Sequence, residues 1–353
     1  RTQAVIDKGD YGLYFDHTTG ELNFKLNNAS PSIWSISYDG ASPLIRGFTV
    51  YNGYLYTSQG IGTSVIGEGN IFVCIPERNT TGDTKVCDPD EWQNSTTRTI
   101  YRSMLGPTEF NGLLYAGTAV STAGGDILVC IPTRNISAGS SPYICEPDEW
   151  DTSYDGAQEV MHQPIVFNGR LYSGQGSGDF DGNIFVCDPD RSGNATICEN
   201  ADWAISYDGS DSNFGAQAAA AMNGYLYFGG ITATGGGLGG NNLFVCNPNS
   251  NTAGGTNATR CDGDEWTTVY DGGGNDGIHT VTVFNNKLYF GEGDQLQNGN
   301  IYRCEPERTG DIALCDSGDI FRVYAGGNQF YEGITELHPY HGTLYIGTNG
   351  GSL

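Results

Sequence analysis

The sequence predicts an all-β protein, a six-bladed β-propeller of four-stranded antiparallel blades, and three observations predict it. All ten cysteines fall into five pairs at one place in a repeating unit: Cys74/Cys87, Cys130/Cys145, Cys187/Cys198, Cys246/Cys261 and Cys304/Cys315. A second motif, Asn-Gly-x-Leu-Tyr in its fullest form, places tyrosines at Tyr56, Tyr115, Tyr172, Tyr227, Tyr289 and Tyr345, which sets a period of 55 to 62 residues. Third, the chain consists of short apolar runs between turn residues, with no 3.6-residue apolar periodicity. A period of this length built from strands alone points to a propeller or an array.

Each unit reads as four strands in order. Strand one runs up to the Asn-Gly, where both central turn positions need φ > 0, the signature of a two-residue hairpin. Strand two carries the Leu-Tyr. Strand three ends on the first cysteine (NIFVC, DILVC, NIFVC, NLFVC, NIYRC), with proline two residues later at Pro76, Pro132, Pro189, Pro248 and Pro306. Strand four begins five residues after the second cysteine, at Trp92, Trp150, Trp203, Trp266 or Ile320. In the fifth unit the strands are expected at His279–Phe284, Lys287–Gly291, Asn300–Cys304 and Ile320–Tyr324. One such sheet cannot bury its own faces, so neighbouring sheets must stack.

The run NGYLYFGG, then LFVCNP, then EWTTVYDG resembles the Kelch-type blade, in which a strand ending in a glycine pair precedes a second strand and then a tryptophan. The resemblance spans nearly the whole chain and implies a Kelch-like secreted propeller. Only Gly229-Gly230 supplies the glycine doublet, the disulfide is a departure, and no ligand site is implied.

Blade count follows from closure. Gly20–Gly40 supplies strands three and four without cysteines, and Ile334–Gly347 supplies strands one and two. The chain is thus expected to be one domain over 1–353, with five disulfide-bearing blades in 41–333. A closing blade joins 20–40 to 334–353, and 1–19 is a candidate arm. Such closure removes two open sheet edges. The alternative is seven blades, with Thr2–Asp16 as strands one and two of a complete first blade.

Paired cysteines in this number point to an oxidising compartment, extracellular or at the cell surface. Spacings of 11 to 15 positions within pairs fit disulfides better than zinc. Each closed loop is worth about 3 kcal/mol. N-glycosylation sequons at Asn28, Asn79, Asn94, Asn135, Asn194 and Asn257 agree, and four of them (Asn79, Asn135, Asn194, Asn257) lie inside disulfide loops. The net charge of −25 excludes nucleic acid as a natural partner and disfavours anionic membranes. No apolar stretch is long enough to span a bilayer.

The calcium-like segment is Asp179-Phe180-Asp181-Gly182-Asn183, with Asp179, Asp181 and Asn183 as candidate oxygen ligands. It lacks a bidentate glutamate, and an Asp-Gly turn explains it as well. The acidic tetrads 88–91 and 146–149 read as exposed carboxylates at the loop base. Six residues before each Asn-Gly position stand Arg46, Leu105, His162, Gln217, His279 and Thr335, expected to line a central channel. Arg46, His162, Gln217 and His279 are its polar members. No nucleophile motif is present and no cysteine is left over. The expected function is non-enzymatic: a building block of a surface appendage, sheath or surface layer, through self-association or contact with other surface proteins and glycans. Alternatives are a carbohydrate- or protein-binding module, with Phe180, Phe214 and Tyr331 as candidate exposed aromatics, and a hydrolase or lyase using His162 and His279.

Overall fold

The computed structural model describes residues 11–16, 21–26, 34–39, 44–60, 69–76, 87, 89–96, 98, 100–120, 124–132, 141–156, 160–176, 182–191, 193–209, 214–232, 242–248, 259–272, 277–294, 297–306, 313–325, 333–340 and 342–348. Among them every regular element is a strand or a three-residue 3₁₀ turn.

β1 (Tyr11–Asp16), β2 (Glu21–Leu26) and β3 (Trp34–Asp39) form a three-stranded antiparallel sheet in that order. The first complete blade is β4 (Leu44–Tyr51), β5 (Tyr54–Gly60), β6 (Asn70–Cys74) and β7 (Trp92–Asn94). The second is β8 (Ser103–Phe110), β9 (Leu113–Ala119), β10 (Ile127–Cys130) and β11 (Trp150–Tyr154). A single pairing, Gly60 opposite Ser103, links these two sheets. The third blade is β12 (Ile165–Phe167), β13 (Arg170–Gly174), β14 (Ile184–Cys187) and β15 (Trp203–Tyr207). The fourth is β16 (Phe214–Met222), β17 (Tyr225–Thr232), β18 (Asn242–Cys246) and β19 (Trp266–Asp271). The fifth is β20 (Ile278–Phe284), β21 (Lys287–Asp294), β22 (Gln297–Cys304) and β23 (Ile320–Tyr324), and β24 (Ile334–Tyr340) pairs with β25 (Thr343–Thr348). All pairings are between antiparallel neighbours, as the hairpin signals require.

The Asn-Gly hairpins form as expected. Asn52, Asn111, Asn168, Asn223 and Asn285 have φ between 47 and 53°, and the residue after each is also left-handed. Asparagine and glycine adopt this region cheaply, which fixes the one-two register. The residue before the turn then packs edge-on against the motif tyrosine. Ring centroids lie 5.9 Å apart for Tyr51–Tyr56, 6.1 Å for Phe110–Tyr115 and 6.0 Å for Phe167–Tyr172. Such pairs add about 0.5–1.5 kcal/mol to plain burial.

Strands three and four share a bulge that begins three residues before the strand-three cysteine: Ile127/Leu128, Ile184/Phe185, Leu243/Phe244 and Ile301/Tyr302. The cysteine-free β2 and β3 carry the same bulge at Leu22/Asn23, with Lys25 opposite Trp34 where other blades set cysteine opposite tryptophan. These two strands are therefore built as strands three and four. The other edge of β2 is taken by β1, with Leu13 opposite Phe24.

The chain divides into two compact units, one of Val5–Pro164 and Pro189–Asp202, the other of Arg1–Ala4, Ile165–Asp188 and Trp203–Leu353. The first has a core around Tyr56, Ile71, Met104, Leu114, Leu128 and Trp150. The second is built around Tyr172, Phe228 and Trp266, around Leu243, Leu288 and Phe290, and around Ile301, Ile334 and Leu337.

Candidate functional site

Four disulfides, Cys74–Cys87, Cys130–Cys145, Cys246–Cys261 and Cys304–Cys315, have Cα separations of 5.8 to 5.9 Å, within the range an unforced bridge needs. Cys187 and Cys198 are likewise disulfide-bonded, and no cysteine is free. Each bridge ties the end of strand three to the turn before strand four. Because the strands alternate in direction, that is the same end of the sheet as the Asn-Gly hairpin.

The second cysteine of a blade is held by the blade before it. Tyr56 Oη accepts from the Cys145 N–H at 3.0 Å, Tyr115 Oη from Cys198 at 3.1 Å, Tyr172 Oη from Cys261 at 3.0 Å and Tyr227 Oη from Cys315 at 3.1 Å. All four tyrosines are fully buried. Burial pushes the Tyr115 and Tyr172 hydroxyls up to about 12, against the smaller opposing effect of the cysteine N–H, so they stay neutral at any ordinary pH. The carbonyl of the same cysteine is also met: Ser95, Ser153 and Ser206 Oγ donate to Cys145, Cys198 and Cys261 at 2.7, 2.6 and 2.6 Å. Trp150 and Trp266 then donate their indole N–H to Ser95 and Ser206, each at 3.1 Å. Asn52, Asn111 and Asn223 complete the latch by donating to the carbonyls of Tyr143, Ala195 and Ala313. The motif asparagine, tyrosine, cysteine and tryptophan thus belong to one inter-blade joint.

The acidic residue before strand four is part of the same turn. Glu91, Glu149, Asp202, Glu265 and Asp319 are all buried. Glu149 accepts the Glu146 N–H at 2.9 Å, Asp202 that of Glu199 at 2.8 Å, and Glu265 that of Asp262 at 2.8 Å. This corrects the expectation of exposed carboxylates for Glu91 and Glu149: the turn amides need an acceptor where water cannot reach. Asp90 and Asp148 are exposed, and Asp88 lies outside the described residues. Burial, with Glu146 and Asp148 close by, pushes Glu149 up to about 7 despite its amide donor, and burial raises Glu265 in the same way.

Strand one bulges near its middle, and here the polar series of the sequence is found. Arg46 lies in β4 beside the bulge at Gly47, Gln217 at the bulge of β16, and His279 at the bulge of β20. His162 precedes β12 and is buried. Burial lowers the Arg46 guanidinium from its ordinary value, and its Nε has no hydrogen-bond partner among the described residues. Arg46 and His162 belong to one compact unit, Gln217 and His279 to the other. What the series missed is the residue after it. A Cβ at Gly47 would come 2.7 Å from Gly106 Cα, and one at Gly106 2.2 Å from the Gln163 side chain. Both glycines are left-handed, so β4, β8 and the segment before β12 meet there only because Gly47 and Gly106 lack side chains.

The sequence matches no known family pattern and no curated protein. Among solved structures it is similar to puromycin hydrolase, at 10% identity and a TM-score of 0.50, over 88% of this chain and 44% of that one. Prolyl endopeptidase structures match at 9% identity and 0.50, over 93% and 42%. A nidogen/laminin complex matches at 11% and 0.46, over 81% and 86%. The chain spans under half the length of the first two, and identities this low speak for the fold alone. The fold is a β-propeller.

On this propeller the sequon at Asn194 lies in an exposed turn of its disulfide loop, where Asn194 Oδ1 accepts from Thr196 Oγ1 at 2.9 Å. Asn194 itself is half-buried; Asn94 is exposed, but Ser95 and Thr96 of its triplet are buried and hold Cys145 and Ile71, which explains that triplet without a glycan. Asn28, Asn79, Asn135 and Asn257 lie outside the described residues. So do Asp179 and Asp181 of the calcium-like segment. Asn183 is used internally: its Oδ1 accepts the Gly209 N–H at 2.8 Å, as Asp126 Oδ1 accepts that of Gly156 at 3.2 Å. That clamp accounts for the Asn or Asp opening strand three and the glycine ending Tyr-Asp-Gly. Of the candidate aromatics, Phe180 and Tyr331 lie outside the described residues.

Proposed function

We propose that this chain is an extracellular, N-glycosylated, non-enzymatic propeller of six blades, a structural or adhesive building block of a surface appendage, sheath or surface layer. The observation that supports this reading is the repeated joint. Tyrosine, serine and asparagine of one blade clamp the disulfide turn of the next, four times over for the tyrosine. The most regular features of the sequence are thereby spent on rigidity and on loops stapled at the hairpin end of each sheet. Four sequons fall within those loops. The oxidising environment that disulfides require is the one in which such glycans are added.

Closure of the blades by both chain ends, with Glu21–Asp39 and Ile334–Thr348 in one blade, belongs to the same proposal. The acidic surface keeps free subunits apart at low ionic strength and lets divalent cations promote contact. Calcium is therefore the candidate ion of assembly.

Electron microscopy of natively purified material, with and without a calcium chelator, tests the reading. Filaments or sheets are expected, shortened or lost on chelation. Discrete particles at every concentration and calcium level would refute it.

A further inference from the structure

Arg46 is a cation that the fold leaves unanswered. It stands in β4 opposite Ser58, the residue two beyond the motif tyrosine of β5. In the other complete blades whose first strand is paired at this point, the place holds Leu105 opposite Gly117, Ala218 opposite Gly229 and Thr280 opposite Gly291. Leu105 and Thr280 are each 6% exposed, and Thr280 Oγ1 accepts the Leu337 N–H at 3.0 Å. The place suits a side chain that is apolar or internally bonded, and in the first blade it carries a guanidinium. Its direction follows from its partner. Cross-strand neighbours share a face of the sheet, and Ser58 Oγ accepts the Gly106 N–H at 3.0 Å, so Arg46 leaves β4 on the face turned to β8.

Arg46 Nε is out of reach of solvent and has no hydrogen-bond partner. Among the described residues no ion pair reaches Arg46, in a chain with 41 Asp and Glu against 16 Lys and Arg. Burial is the one influence lowering its guanidinium, and no carboxylate of the described residues opposes it. The half-buried arginines elsewhere are matched. Arg98 donates to the Trp150 carbonyl at 2.7 Å, Arg102 to that of Val120 at 3.4 Å and Arg170 to Thr259 Oγ1 at 2.9 Å. Arg260 and Arg303 lie 3.0 and 2.7 Å from Asp262 and Glu305. Yet Arg46 is not sealed off. The residue as a whole is half-buried, and the side chain of Gln163, which lies over the adjoining Gly47, is exposed. A side chain crowded by protein and still wetted by solvent lines a recess.

We infer that Arg46 is the centre of an anion site between the first strands of the first and second blades, and that it takes a small oxyanion such as a carboxylate or sulfate. A charge held among protein atoms without a partner is costly, and a bound counter-ion removes that cost. The Nε–H and one Nη–H of a guanidinium point the same way, so they meet two oxygens of one such group in parallel, which a spherical halide cannot offer. The net charge of −25 repels anions at long range, so one that binds does so through a local partner. The site goes beyond the building-block reading and stands whether or not the chain assembles.

The test follows the ¹⁵N–¹H signals of the arginine Nε groups in the full, disulfide-bonded chain, titrated separately with sodium acetate, sulfate and chloride at one ionic strength. The Arg46 signal, assigned by its loss in Arg46→Lys, is expected to move saturably with acetate and sulfate and far less with chloride. A signal indifferent to all three, or one that chloride moves as far, would overturn the inference. Thermal unfolding of Arg46→Leu, which copies the second blade, gives a second readout. This variant is expected to melt higher than wild type in chloride and to lose the added stabilisation that acetate gives wild type. Sulfate stabilises proteins by exclusion as well, so the difference between the two chains is what is read. Equal responses of Arg46→Leu and wild type to acetate and to sulfate would also overturn the inference. If Arg46→Leu does not fold, the wild-type titration decides alone.

Discussion

The hydroxyl of Tyr56 accepts the backbone N–H of Cys145 at 3.0 Å, 89 residues further along the chain, and this contact joins two blades at a disulfide. The same arrangement recurs from Tyr115, Tyr172 and Tyr227, so the repeat is a coupling device as well as a strand pattern. Because the acceptor is buried, a tyrosine replaced by phenylalanine leaves an amide with nowhere to turn.

Tyr172→Phe is therefore expected to destabilise the protein by about 1–3 kcal/mol, the cost of one unpaired buried donor. Thermal unfolding should show the loss. Tyr289→Phe is the internal comparison, since no described cysteine turn follows it, and should cost less.

Buried carboxylates set a dependence on pH. Glu149 is pushed up to about 7 in the folded chain, above its ordinary value near 4.5. A folded value raised above the unfolded one means that the protonated form favours folding. This contribution is complete below about 4.5 and is lost as pH rises through about 7. Relative to wild type, Glu149→Gln should gain melting temperature as pH is raised from 5 to 8. A difference that stays flat across that range would exclude Glu149 as the titrating group.

Gly174→Ala places a methyl group 2.0 Å from the carbonyl oxygen of Ala216, which is backbone and cannot swing aside. A loss of about 3 kcal/mol, at the upper end of overpacking costs, is expected in chemical denaturation. Gly347→Ala meets nothing closer than 3.0 Å and should cost well under half of that in the isolated chain.

Removing one bridge by the double change Cys246→Ser and Cys261→Ser should cost about 2–4 kcal/mol. The turn that it releases also carries the Tyr172 and Ser206 hydrogen bonds. Combining it with Tyr172→Phe should cost less than the two losses added together, which a double-mutant cycle measures. Strict additivity would mean that bridge and latch act independently.

Much of the architecture was legible because it is local. Asn-Gly dictates left-handed turn geometry, and the strand limits in the fifth blade fall within a few residues of the expected ones, β22 starting at Gln297 rather than Asn300. Why the motif tyrosine and the acidic residue before strand four recur was not legible. Their partners lie a full blade away or inside a buried turn, and acidity in a chain of this charge reads as solubility. The close approach at Gly47 and Gly106 was hidden for the same reason: spacing counts residues along a strand, while the contact is between strands. The polar series at Arg46, His162, Gln217 and His279 was found by position, yet those residues fall in two compact units, and position alone assigned them no shared chemistry.

Site-resolved amide exchange at the second cysteines tests the central claim, that each blade is locked to the next through a tyrosine hydroxyl. The amides of Cys145, Cys198, Cys261 and Cys315 should exchange slowly in the native protein, and Tyr56→Phe should accelerate Cys145 while leaving Cys261 and Cys315 unchanged. Fast exchange at all four, or a Cys145 amide indifferent to Tyr56→Phe, would contradict the account.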